Sequence, residues 1–148
     1  MVRYDDARVF AAVGQALGPS LEAAGFRLDG VRHGCNMMAA LRYRTGDLGL
    51  VVLGSYDGID CLDASFVKLT PPVLATDDFM WCPAASVEIG HYHAQPGRDS
   101  ESDFTADAVQ WALRTIAPAL AHLDRARAAL EGWPIHADWL TREQNGED

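Results

Sequence analysis

This chain is poor in cysteine, nearly devoid of lysine and without any long apolar run. Cys35, Cys61 and Cys82 are odd in number, widely spaced and never arranged as CxxC. That argues against a disulfide framework and against a paired-cysteine zinc or redox motif. Free, mostly buried thiols in a reducing compartment are the expectation. No stretch approaches ~18 uninterrupted apolar residues, so no helical membrane span is expected. The opening MVRYDDARVF places Asp5 and Asp6 where a signal peptide needs its apolar region, so a cytoplasmic protein is predicted. Neither GxGxxG nor GxxxxGK[ST] occurs, which leaves a nucleotide-binding fold without support. No GxSxG elbow surrounds Ser55, Ser65 or Ser86, and the cysteines lack the context of a nucleophile. No internal repeat, linker or low-complexity tract is present.

Lys68 is the only lysine among 12 basic residues, against 21 acidic ones and a formal net charge of -9. Abundant alanine and arginine in place of lysine mark a bias of the whole chain, so single arginines carry little meaning. The charge is unevenly spread. Between Asp57 and Asp107 ten acidic residues face only Lys68 and Arg98, which puts -8 of the total in one third of the sequence. An acidic surface repels phosphate backbones, so nucleic acid is not an expected partner. It suits a basic protein or a cation. The plainer account is that acidity keeps the protein soluble.

What is present points to one α+β domain over residues 1–148, with 142–148 a frayed tail. At 148 residues the chain can bury a core without covalent staples. Phe10, Val13, Leu17, Leu21 and Ala24 draw an apolar stripe at helical spacing over 5–24, interrupted at Gly18-Pro19 by a kink or a new start. Gly25 is a left-handed cap. A short strand at 26–33 contains the turn signal Asp29-Gly30. Then come three runs separated by Thr45-Gly46-Asp47 and Asp57-Gly58, which read as hairpin turns. In the first, Leu41 and Tyr43 share one face and Arg42 and Arg44 the other. The second, Leu48 to Tyr56, is apolar on both faces and should be central. The third, Ile59 to Leu69, ends before Pro71-Pro72. Ala85 to His93 alternates as a fifth strand. A long helical stretch from Asp103 to Glu131 is interrupted at Pro118 and closed by Gly132, and Trp133 to Leu140 suggests a last short helix. The expected fold is an antiparallel meander of four to five strands, with the N-terminal helix and long C-terminal helices packed on one face.

His91-Tyr92-His93 is the sharpest chemical candidate. On a strand, residues i and i+2 share a face, so two imidazoles can converge on one metal ion, zinc or iron. Cys82 is a candidate third ligand, with Asp77, Asp78, His33 and Cys35 as other options. A cupin-like pattern fails, since Pro96 and Gly97 stand where its glutamate belongs. Strict alternation puts both histidines on the core face with Val87 and Ile89, and Ser86 on the opposite one. Two core histidines bonded to backbone are the plainer reading. Asp57, Asp60 and Asp63 only superficially resemble a calcium loop, for the central glycine and closing glutamate are missing.

The remaining candidates concern a partner. Asp77, Asp78, Phe79, Trp81, Asp99 and Glu101, with Met80 and Tyr92 nearby, combine large apolar anchors with an acidic rim. Core burial of the aromatics is the plainer reading. Two functions follow. The first is a non-enzymatic binding module for a basic protein, resembling an immunity protein, an antitoxin or a chaperone. The second is a metal-binding protein or metal-dependent enzyme built on His91 and His93. A homodimer is compatible with either.

Overall fold

The computed structural model describes residues 6–33, 39–56, 59–69, 86–94 and 101–132. Along the chain these form α1 (Asp6–Ala23), β1 (Arg27–His33), β2 (Ala39–Arg44), β3 (Leu48–Tyr56), β4 (Ile59–Lys68), β5 (Ser86–His93), α2 (Glu101–Leu120) and α3 (Leu123–Leu130). The five strands pair antiparallel in sequence order, β1-β2-β3-β4-β5, and the fold is α+β. The expected last helix over Trp133 to Leu140 lies outside the described residues.

α1 forms because Val9, Phe10, Val13, Leu17 and Leu21 fall on one face, and all five are buried. It runs unbroken through Pro19 rather than restarting there. Proline forfeits one backbone bond, and burial of Leu17 and Leu21 on either side holds the turn. Each such side chain contributes about 1.5–3 kcal/mol on leaving water. Gly25, at φ 80°, ends the helix. The Phe26 N–H donates to the Leu21 carbonyl at 2.9 Å and the Gly25 N–H to that of Glu22 at 3.0 Å. This pair of bonds is a Schellman stop, and Phe26 packs into the core beside it.

Strand β3 is central, as its two apolar faces require. Leu48, Leu50 and Val52 join Leu41, Leu62, Ala64 and Phe66 beneath the helices. On the other face Ala40, Val51, Val67 and Leu69 form a smaller buried cluster. Arg42 and Arg44 belong to this second face and are also buried, 1% and 5% exposed, although alternation alone would have left them in water. Arg42 Nη2 donates to Asp29 Oδ2 at 3.2 Å. Asp29-Gly30 is not a turn. It is an irregularity in β1, where the register with β2 shifts between Leu28 and Gly30.

The β2–β3 turn is built by Thr45, whose Oγ1 accepts from the Leu48 N–H and donates to Asp47 Oδ1, each at 3.0 Å. Arg127 on α3 grips the same carboxylate from Nε at 2.7 Å and Nη2 at 3.1 Å. That hydrogen bond holds the Asp47 carboxyl below its ordinary pKa, against the opposing pull of burial.

α2 ends two residues after Pro118, and α3 restarts at Leu123. α2 lies antiparallel along β5: Tyr92 meets Phe104 and Trp111, while Gly90 lies under Thr115. A Cβ at position 90 would stand 2.8 Å from Thr115 Cγ2, closer than two carbons can sit. That methyl is one bond from Cβ and not the end of a long flexible side chain, so relief needs a change of χ1 rotamer or a backbone shift. Gly90→Ala should therefore destabilise the fold by about 1–3 kcal/mol in chemical denaturation. Adding Thr115→Ser, which removes that methyl, should recover part of the loss; strictly additive effects would contradict the close approach.

Candidate functional site

The fifth strand carries one residue more than β4 can pair. Its register runs Val67↔Ser86, Phe66↔Val87 and Ser65↔Glu88, then resumes at Ala64↔Gly90, Asp63↔His91, Leu62↔Tyr92 and Cys61↔His93. Ile89 is the extra residue, and the strand bulges there. Glycine at position 90 permits it, because the strand must then pass directly beneath α2. The consequence is a reversal of facing. Val87, Ile89 and Tyr92 pack against the helix-covered core. His91 and His93 pair with Asp63 and Cys61, whose face carries Val67, and both histidines are exposed.

This corrects the expectation from strict alternation, which put His91 and His93 on the core side with Val87 and Ile89. It also corrects Ser86, which pairs with Val67 and so shares the histidines' face. Tyr92 is not part of an open aromatic patch. Its ring centroid lies 5.5 Å from that of Phe104 and 6.4 Å from that of Trp111, and its hydroxyl reaches Asp107 Oδ2 at 3.5 Å.

The second face at this edge gathers four polar side chains. Asp63 comes from β4, and Glu88, His91 and His93 come from β5. One ligand-type atom from each of Asp63, Glu88 and His91 lies within 4.8 Å of the other two. His91 Nδ1 stands 3.9 Å from Glu88 Oε1, with the two side chains 52% and 67% exposed. The His93 ring meets that of His91 edge-on at 4.8 Å between centroids. Asp63 is the least exposed of the four. Burial lifts its carboxyl pKa, Glu88 adds to the rise, and His91 and His93 oppose it.

Asp63 and Glu88 were not among the candidate ligands read from sequence. Asp63 appears there only in a failed calcium spacing, and its nearness to His91 depends on strand pairing. Glu88 and His91 are three apart, which on a regular strand means opposite faces; the bulge brings them together. A glycine inside a strand next to isoleucine was the available signal.

The other candidates are placed as follows. Cys82, Asp77, Asp78, Phe79, Trp81 and Asp99 lie outside the described residues, as do Met80 and Cys35. Glu101 is the first residue of α2. On the next turns of that helix Asp103 and Asp107 are exposed. Asp107 lies over Tyr92, so acidic residues of α2 and of the sheet's second face flank β5 from both sides. β1 and β5 end the order of the described strands, and among those strands β5 is paired by β4 alone.

A carboxyl whose pKa rises on folding holds its proton more tightly when folded than when unfolded. Its charged form therefore costs stability at neutral pH, and the cost disappears as the pH falls through the raised value. In chelator-treated protein, Asp63→Asn should raise the melting temperature at pH 7, and the gain should vanish in acid. A variant less stable than the parent at pH 7 would show that neighbouring groups, not burial, dominate at Asp63.

No known family model matches this chain, and no characterised protein or solved structure is significantly similar to it.

Proposed function

We propose that the protein is a non-enzymatic binding module that engages a basic protein partner through the acidic edge formed by β5 and the start of α2. The observation that carries this reading is the charge distribution: -8 of the net -9 falls between Asp57 and Asp107, the stretch that supplies β4, β5 and the first turns of α2. In the described part of that stretch, Asp63, Glu88, Asp103 and Asp107 surround β5, which ends the order of the described strands. Such an edge can take up a strand from another chain, and surrounding carboxylates select a basic one. The remainder of the chain is close to neutral, so the negative charge is concentrated along the sequence rather than evenly spread. An inhibitor of the immunity or antitoxin kind, or a chaperone, would use a surface of this type. No complete catalytic motif in the sequence favours an enzyme instead. No described helix is long and apolar enough to cross a membrane.

The reading predicts a captured basic protein whose binding weakens as salt is raised. Reversal of Asp77, Asp78, Asp99 and Glu101 to lysine, or of Glu88, Asp103 and Asp107, should abolish co-purification from the native host while leaving the far-UV spectrum unchanged. A partner captured equally by both charge-reversed variants would contradict it.

A further inference from the structure

We propose that Asp63, Glu88 and His91 form a binding site for a divalent cation of the zinc class, with His93 as the fourth ligand. Asp63 and Glu88 also belong to the acidic surface described above, but no protein partner is needed to test the site.

Four observations carry it. The first is the donor set: two carboxylates and two imidazoles are the oxygen and nitrogen ligands that zinc accepts, and neither sulfur nor backbone is required. The second is spacing. Ligands about 2.0–2.1 Å from a tetrahedral ion stand about 3.4 Å from one another. The atoms of Asp63, Glu88 and His91 already lie within 4.8 Å, and His91 Nδ1 is 3.9 Å from Glu88 Oε1. Exposed side chains can close the difference by rotamer changes, without movement of the backbone. The third is the frame. The ligands come from two hydrogen-bonded strands with a bulge between Glu88 and His91, and rigid elements hold ligands better than loops do. The bulge is what gives residues three apart a common face.

The fourth observation is electrostatic. Asp63 and Glu88 sit side by side in the most acidic stretch of the chain, and among the described residues no arginine or lysine lies within ion-pair distance of either. Among the described residues Glu88 lies within ion-pair distance of His91. Two carboxylates brought together without a permanent cation repel each other. A dication between them converts that repulsion into attraction, while neutral imidazoles supply the remaining coordination. His91 and His93, edge to face, can turn their nitrogens toward the same point.

The test is calorimetric titration of the chelator-treated, full-length protein with zinc chloride alone. One equivalent should bind saturably. His91→Ala, and the double change Asp63→Asn with Glu88→Gln, should each weaken binding by roughly tenfold or more. His33→Ala, which removes a histidine at the end of β1 on the far edge of the sheet, should leave it unchanged. Circular dichroism of each variant separates loss of the site from loss of the fold. The proposal is overturned if the parent binds no zinc up to about hundredfold excess, or if binding survives undiminished in either the His91 or the carboxylate variant.

Discussion

The arrangement of this molecule turns on the contact between Gly90 and α2. The helix can lie along β5 only if the strand presents no side chain beneath Thr115, because even a methyl group there would stand 2.8 Å from Cγ2. With Gly90 turned inward, Tyr92 follows it into the core against Phe104 and Trp111, and His91 and His93 are forced outward. Ile89 absorbs the extra residue as a bulge and still reaches the core. One close packing contact thus decides which face of the strand carries chemistry.

That decision also brings together groups that lie far apart in the sequence. Asp63 meets His91 because β4 and β5 pair, and Glu88 joins them because the bulge removes the usual opposition of residues three apart. The same strand ends the order of the described strands and lies within the most acidic stretch of the sequence. A basic partner and a metal ion are both answers to that charge, and they draw on it differently. A partner would use its breadth, from the sheet to the first turns of α2. A cation would use one cluster on one face.

Much of the fold was legible because its determinants are local. The stripe from Phe10 to Leu21 specifies α1, Gly25 stops it, Pro118 ends α2, and the double-faced apolar run from Leu48 marks the central strand. The site was legible only in part. His91 and His93 stand out by their spacing, but their facing depends on Thr115, some two dozen residues away. Asp63 needs the β4–β5 register, and no local pattern encodes that. Pro19 left a kink or a new start open, and the helix does not restart there, with Leu17 and Leu21 buried on either side. Arg42 and Arg44 were placed on the correct face, but their burial could not be read, since alternation reports facing and not what lies above it.

The facing of β5 can be observed directly by nuclear Overhauser effects in solution. The account predicts cross-peaks from the Gly90 α-protons to the Thr115 methyl and from the Tyr92 ring to Phe104, with the His91 and His93 rings giving none to α2. Cross-peaks from either imidazole to Trp111 or Thr115 would mean that the strand alternates regularly, with the histidines in the core, and would contradict the arrangement on which the site depends.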